Sequence, residues 1–301
     1  MDKLECIRTF VRVAQSGSLT NAANQLGVSR SMVTKQIKFL EDGLGVRLLH
    51  RTTRALSLTD IGETFLERCT HVLDDLDDAE QQATHATVIP RGTLNVAAPP
   101  SFGVLHVAPA VAEFIRRYPE VDISLTVSDH VLDMAGQGID VALRLGDMQD
   151  SGLIAHTLSH VRTLVCGAPA YFKKHGRPEH PNDLLRHNCL RWRSGPFHQD
   201  VWLFKSGKET FEIAVRGNLE SNVADVPRAA AREGLGLILQ AAYMVSNELR
   251  SGQLEPVLSD YETPSIAVHV VYLNRRHLPA KVRSFVEFLK ERFEGNTYLD
   301  D

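Results

Sequence analysis

The sequence predicts a small all-α head, a long linker helix and a larger α/β body in two lobes, and three observations carry that reading. Apolar residues recur at helical spacing as far as Ala79, whereas from Arg91 onward short strand-like runs alternate with helical ones between Pro and Gly. Charge is split along the chain: nine Lys and Arg against four Asp and Glu up to Leu58 leave that segment at +5, and the remainder carries −9 of a net −4. With 301 residues, 43% of them hydrophobic and 23% charged, the chain is long enough for two or three compact units.

In the head, Leu4, Ile7, Phe10, Val11, Val13 and Ala14 mark a first helix that Gly17 ends. Ser18 stands where an N-cap belongs, and Leu19, Ala22, Ala23 and Leu26 give a second helix one apolar face before Gly27. Ser29 then caps a third helix with a buried stripe of Val33, Ile37 and Leu40, leaving Arg30, Ser31, Thr34, Lys35 and Lys38 facing outward. Two short helices about a Gly-containing turn, the second presenting hydroxyl and basic side chains, form the helix-turn-helix layout whose second helix enters the major groove of DNA. On a lone helix such a face reads as ordinary solvated surface; the positive head and the next segment favour DNA. That segment, after Gly43-Leu44-Gly45, runs from Val46 to Leu58 as two extended stretches around a basic turn, a hairpin wing with Arg51 and Arg54 placed to reach phosphates or the minor groove.

Thr59-Asp60 followed by Glu63 resembles a helix start, and Ile61, Phe65, Leu66, Cys69, Val72, Leu73, Leu76 and Ala79 continue as one stripe opposite Asp74, Asp75, Asp77 and Asp78. Such a helix does not bury its stripe alone, and pairing with a second copy of the chain does so. In the body, 93–98, 121–127 and 141–144 read as strands, with helices at 109–118 and 131–136 between them; this β-α-β-α-β order favours a parallel sheet. A strand at 162–167, a helix near Tyr171, a strand pair around Trp202 and 212–215, an Ala-rich helix at 223–233, strands at 235–239 and 266–273 and a helix at 280–293 complete a second lobe and the return to the first.

Several function classes are disfavoured. Apolar runs stop well short of the ~20 residues of a bilayer span and no export signal is read, so no membrane partner and a cytoplasmic location are expected. Cys6, Cys69, Cys166 and Cys189 form no C-x-x-C pair, and Cys166 and Cys189 are expected to be buried structural thiols. Among thirteen histidines, His156 with His160, or His175, His180 and His187, are the candidates for a metal, but without ligand spacing no metal and no other cofactor is expected. Gly234 and Gly236 lack the third glycine of a dinucleotide fingerprint, and no assembled catalytic motif argues for an enzyme.

The head carries F-V-x-V-A-x-S-G-S-L-T-x-A-A-x-x-L-G-V-S-R-S-x-V-T-K-Q-I-K-x-L-E from Phe10 to Glu41, then L-G-V-R-L-L-x-R-T-T-R from Leu44 to Arg54 and S-L-T-D-I-G from Ser57 to Gly62. On these residues the chain resembles a LysR-type transcriptional regulator over essentially its whole length. The resemblance implies an all-α winged helix-turn-helix domain at 1–59 and a linker/dimerisation helix at 60–89. It further implies a periplasmic-binding-protein-like α/β effector domain at 90–301, with lobe I at about 90–161 and 267–301 and lobe II at about 162–266. The implied DNA-binding residues are Ser29, Arg30, Ser31, Thr34, Lys35, Lys38, Arg51, Thr52, Thr53 and Arg54. The implied effector contacts are Pro100, Ser101, Phe102, Arg144, Gly146, Arg193, Phe197 and Asn222. From the residues themselves, Ser101 after a strand and a Pro-rich turn is suited to an anion at a helix N-terminus, and Trp192, Phe197 and Trp202 suit either an aromatic pocket or a core.

The function expected is therefore a DNA-binding transcriptional regulator whose hold on double-stranded promoter DNA is set by a small-molecule effector, acting as a homodimer or homotetramer, with RNA polymerase as a candidate partner. The competing reading is a two-lobed small-molecule binding protein whose N-terminal region serves oligomerisation; it predicts no salt-sensitive affinity for DNA.

Overall fold

The computed structural model describes residues 1–51, 56–83, 89–128, 133–146, 148, 153–194, 197–273 and 278–293. The chain divides into two compact units, Met1–Ile89 and Pro90–Asp301.

The first unit is set by its caps. Helix α1 (Lys3–Ser16) starts on Asp2, whose side chain accepts from Leu4 N–H, and stops at Gly17 in the left-handed region at φ 62°. Helix α2 (Leu19–Leu26) is capped by Ser18 and closed by Gly27, and α3 (Arg30–Leu44) is capped by Ser29, whose hydroxyl accepts from Met32 N–H at 3.2 Å. Helix α3 runs through Gly43 to Leu44, which packs against the core, and ends at the left-handed Gly45. Val33, Ile37 and Leu40 are buried as expected, together with Cys6, Phe10 and Val13 of α1. A wing follows: β1 (Leu49–Arg51) pairs antiparallel with β2 (Leu56–Leu58).

Two polar residues on the buried side of α3 tie its neighbours to it. Gln36 Oε1 accepts from the Thr9 hydroxyl at 2.9 Å, fixing α1 against α3. Glu41, 2% exposed, uses Oε1 to accept from Leu48 N–H at 2.9 Å and Leu49 N–H at 3.2 Å, while Oε2 meets Arg47 at 2.6 Å. The wing therefore hangs from the end of α3. The Thr59 hydroxyl donates to Arg47 C=O at 2.8 Å and accepts from Gly62 N–H at 2.9 Å, bringing the next helix close enough that a Cβ on Gly62 would lie 2.1 Å from Leu48 O.

That helix, α4 (Asp60–Ala83), corrects one expectation in part. Phe65, Leu66, Cys69 and Leu73 of its apolar stripe pack against the head's own core, with Phe65 5.6 Å from Phe10 ring to ring. No second copy is needed to bury them; among the described side chains of the stripe, Ile61 at 54% and Val72 at 57% exposure are left open.

The second unit begins with β3 (Gly92–Ala98), a helical segment made of α5 (Pro100–Phe102), a π-helical turn (Gly103–Val107) and α6 (Ala108–Arg117), then β4 (Val121–Val127), β5 (Val141–Leu145) and β6 (Leu153–Val161). The chain next builds the second lobe: β7 (Thr163–Gly167), α7 (Pro169–His175), a 3-10 turn (Pro181–Arg186), β8 (Arg191–Ser194), β9 (Phe197–His198), β10 (Val201–Ser206) and β11 (Glu209–Ala214). It continues through β12 (Glu220–Ser221), α8 (Asp225–Arg232), β13 (Leu237–Ala241), α9 (Ala242–Arg250) and β14 (Glu255–Val257), and returns by β15 (Ile266–Leu273) to end in α10 (Ala280–Phe293).

The first lobe is one five-stranded sheet in the order β4-β3-β5-β15-β6. The parallel pairing expected of β3, β4 and β5 is present, and the returning β15 runs antiparallel to β5 and β6, so the sheet is mixed. Two expectations differ from what is observed. Of the helix expected at 131–136, residues 129–132 lie outside the described set, and Asp133–Gly136 is a turn in which Asp133 Oδ1 accepts from Gly136 N–H at 3.0 Å. The Pro-rich turn expected after β3 is already helical from Pro100, because Pro at the first helical position needs no N–H partner.

The second lobe holds the antiparallel sheet β13-β7-β14, the sheet β12-β8-β9 and the hairpin β10-β11. The chain passes between lobes at β6–β7 and again at Pro264–β15, and the two passages are tied side by side: the Thr263 hydroxyl donates to Thr163 C=O at 2.6 Å, and Thr163 Oγ1 lies 2.8 Å from Thr263 Oγ1.

We expect Glu41→Ala to cost about 3 kcal/mol in chemical denaturation, because it strands two buried backbone donors; the bond to the exposed Arg47 contributes little. Burial alone pushes the Glu41 carboxyl up, but the Leu48 N–H, Arg47 and Leu49 N–H outweigh it and hold it below the usual glutamate range. Its contribution is therefore complete above about pH 4.3 and is lost as pH falls through the depressed value, a loss absent from the Glu41→Ala variant.

Candidate nucleic-acid interface and ligand cleft

The first candidate surface is the open side of α3. With Val33, Gln36, Ile37, Leu40 and Glu41 turned inward, Arg30, Ser31, Lys35 and Lys38 are exposed together. Ser29 Oγ lies 2.9 Å from Ser31 Oγ, and the half-buried Thr34 donates its hydroxyl to Arg30 C=O at 3.0 Å. Hydroxyls and guanidinium thus gather at the N-terminal end of the helix and the two lysines follow along it. Met32, 43% exposed, sits beside them; the sequence reading passed over it because it selected polar side chains on that face. Of the wing residues, Arg51 lies on β1 opposite Leu56, its side chain outside the described set, and Thr52, Thr53 and Arg54 lie wholly outside it.

The second is the edge where β3 and β5 end. Both strands run the same way, with Ala97 level with Ala142, so Pro99 and Arg144 stand level two residues further on. From β3 the chain goes to β4 on one side and then back to β5 on the other; a crevice opens at such a reversal, outside the carboxyl ends of the strands. Ser101 and Arg144 both belong to this edge. Arg144 is half-buried, and loss of solvent lowers its pKa. Gly146, at φ 90°, donates its N–H to Ala267 C=O at 2.9 Å, which a side chain with a Cβ could not do without strain.

The Ser101 hydroxyl bonds across to the second lobe, 2.5 Å from Asp225 Oδ2 at the start of α8. Asp225 and its partner Arg228 are the cleft residues that sequence reasoning missed. Their only sequence signal was a position at a helix start a few residues after Asn222, and nothing local points to a serine 124 residues earlier. Phe102, expected at the ligand, is fully buried, its ring 5.0 Å from His106, 5.7 Å from Tyr243 of the second lobe and 5.9 Å from Phe293. Burial, with Arg292 nearby, depresses the His106 pKa to about 4, so this ring is neutral at ordinary pH.

In the second lobe, Arg193 is exposed and pairs with Glu220 at 3.5 Å, and the Asn222 carbonyl accepts from Trp192 Nε1 at 3.1 Å. Phe197 lies on β9 with its side chain outside the described set. Trp202 is fully buried in a core with Tyr171, Leu184 and Phe204, so it lines no pocket.

Four of the five histidines considered for a metal are engaged otherwise. His156 Nε2 is 3.0 Å from the Tyr272 hydroxyl, His187 Nδ1 is 3.1 Å from the Tyr171 hydroxyl, His175 stacks on Tyr171, and His180 Nδ1 accepts from Asn182 N–H. Among the described residues no group of three or more His, Cys, Asp or Glu is placed to hold a metal ion. All four thiols are free and buried; burial pushes Cys166 and Cys189 up to about 12 and Cys69 to about 11. Iodoacetamide at neutral pH is accordingly expected to leave the folded protein unlabelled and to take up four equivalents after denaturation; a fast-reacting thiol in the folded state would contradict this.

Comparison with known proteins identifies the family. Residues 4–63 match the family described as bacterial regulatory helix-turn-helix protein, lysR family, and residues 89–294 match the LysR substrate binding domain. An HTH-type transcriptional repressor of Pseudomonas aeruginosa (strain UCBPP-PA14) is 36% identical over 98% of this chain and 94% of its own. The HTH-type transcriptional activator TtdR of Escherichia coli (strain K12) is 31% identical over 94% of this chain and 91% of its own. Among solved structures, CrgA from Neisseria meningitidis, a LysR-type transcriptional regulator, superposes with a TM-score of 0.63 at 31% identity, covering 97% of this chain and 99% of its own. The chain belongs to the LysR family of transcriptional regulators, with a helix-turn-helix DNA-binding domain ahead of an effector-binding domain.

Proposed function

We propose that the chain regulates transcription by binding a promoter sequence as a homodimer or higher homo-oligomer, and that a small effector held between the lobes of the body changes that binding. The division proposed is 1–59 for DNA, 60–89 for dimerisation and 90–301 for the effector. The observation that carries the reading is the face of α3, where Arg30, Ser31, Lys35 and Lys38 are exposed together on a helix whose opposite face is held rigidly in the core. Ser29, Arg30, Ser31 and Thr34 sit at the N-terminal end and read bases; Lys35, Lys38, Arg51, Thr52, Thr53 and Arg54 contact phosphates or the minor groove.

The effector contacts proposed are Pro100, Ser101, Arg144 and Gly146 from the first lobe and Arg193, Phe197 and Asn222 from the second, with Phe102 buried next to Ser101. No catalysis is assigned to the cleft, and the regulator is assigned to the cytoplasm, where it meets promoter DNA and RNA polymerase. No helix among the described residues is long and apolar enough to cross a membrane.

Arg30→Ala is expected to weaken binding to the promoter site by about 1–3 kcal/mol while leaving affinity for random duplex nearly unchanged. Lys38→Ala is expected to weaken both alike and to reduce the salt slope by about 1. Fluorescence anisotropy on the two duplexes at two salt concentrations distinguishes these outcomes; equal losses on both duplexes for Arg30→Ala would remove it from base reading.

A further inference from the structure

The outward side of α3 carries two rows of different chemistry. Residues four apart lie nearly in line on a helix, so Arg30, Thr34 and Lys38 form one row, while Met32 and Phe39, two turns apart, form another beyond Ser31 and Lys35. Met32 is 43% and Phe39 44% exposed, on a helix that buries Val33, Ile37 and Leu40 on its inner side. An exposed apolar residue standing alone is ordinary. Here two share one side of the helix proposed above for the groove, and Met32 stands in its first turn, among Arg30, Ser31 and Thr34.

The backbone of Met32 is fixed, its N–H bonded to Ser29 Oγ at 3.2 Å and 3.0 Å from Ser29 C=O. The side chain therefore leaves the helix from a set position, while its unbranched thioether adapts to the surface it meets. Its polar neighbours are partly committed. The Thr34 hydroxyl donates to Arg30 C=O at 3.0 Å, and Ser29 Oγ and Ser31 Oγ share one hydrogen bond at 2.9 Å, which uses one of their two protons within the helix.

The major groove presents hydrogen-bond donors and acceptors on every base pair, and thymine alone adds an apolar group, its C5 methyl. Arg30 suits guanine O6 and N7. Met32 has no donor and only a weak acceptor in its sulfur, so against a purely polar base edge it displaces water without replacing the lost bonds. Against a thymine methyl, apolar surface leaves water on both partners, which is favourable.

We propose that Met32 is a specificity-determining residue: its side chain packs on the C5 methyl of a thymine in the major groove, and so selects thymine over cytosine at that position of the promoter site. This rests on the assignment of α3 to DNA made above and adds the residue that reads an apolar group and the base it selects.

The test replaces every thymine of the duplex from upstream of the coding sequence by deoxyuridine, which keeps all base pairs and hydrogen-bonding groups and removes only the methyls. The full chain is compared with Met32→Ala, Met32→Leu and Phe39→Ala by fluorescence anisotropy, with thermal denaturation to show that each variant is as stable as the unaltered protein. The unaltered protein is expected to bind the uracil duplex about fourfold more weakly for each methyl that Met32 covers. Met32→Ala is expected to lose that preference and to bind the thymine duplex about as weakly as the unaltered protein binds the uracil one. Met32→Leu, which keeps an apolar contact, and Phe39→Ala, two turns from the reading end, are expected to retain it. Equal affinity of the unaltered protein for the two duplexes overturns the proposal, as does a preference of undiminished size in Met32→Ala. A random duplex measured alongside separates the two levels: selectivity without dependence on the methyls removes Met32 alone, whereas absence of selectivity removes the reading of α3 as a whole.

Discussion

The head is organised around α3, because one helix has to serve two environments. Its inner side carries Val33, Ile37 and Leu40, each contributing about 1.5–3 kcal/mol by leaving water, and among them Gln36 and Glu41, which are costly to bury unless bonded. The bonds those two make are the ones that place everything else: Gln36 receives Thr9 from α1, and Glu41 receives the backbone of Leu48 and Leu49 at the root of the wing. Arg47 then binds Thr59 through its carbonyl, and Thr59 starts α4. The outer side of α3, polar apart from Met32 and Phe39, is left free of packing duties. A surface meant to match the groove of a duplex needs such rigidity.

In the body the governing constraint is connectivity. A chain that leaves the first sheet at β6 and returns at β15 places two strand connections beside each other at Thr163 and Thr263 and leaves the two lobes facing across the carboxyl ends of β3 and β5. Ligand contacts can then come from both sides of one cleft, so that binding alters the relation between lobes. Coupling to DNA requires a difference in free energy between two such arrangements, and the contacts between the lobes, Ser101 with Asp225 and Phe102 with Tyr243, belong to one of them.

How much of this was legible in the sequence follows from the range of each interaction. Ser18, Ser29, Gly17, Gly27 and Gly45 act within a turn of themselves, so the helices of the head could be read almost to the residue. Gly43 stays inside α3 because a glycine within a helix is tolerated when its neighbour, Leu44, packs well. In the body the buried strands β3, β5 and β15 were plain as apolar runs, whereas β6, at the sheet edge with His156, Thr157, Ser159 and His160, gave no apolar run to read. The exposed polar face of α3 was legible because its residues share one helix. The cleft was legible on one side only: Ser101 could be picked out, but not the burial of Phe102 or the arrival of Asp225, both of which depend on packing between residues more than a hundred positions apart.

The most direct measurement is the affinity of the unaltered protein for a short duplex from the region upstream of its own coding sequence, set against a random duplex of equal length, at two salt concentrations. A promoter-reading regulator binds the first duplex about a thousandfold or more tighter than the second and weakens on both as salt rises. Equal, weak affinity for the two duplexes at both salts would contradict the assignment of α3 and the wing to DNA and leave the body as a ligand-binding unit without a promoter to control.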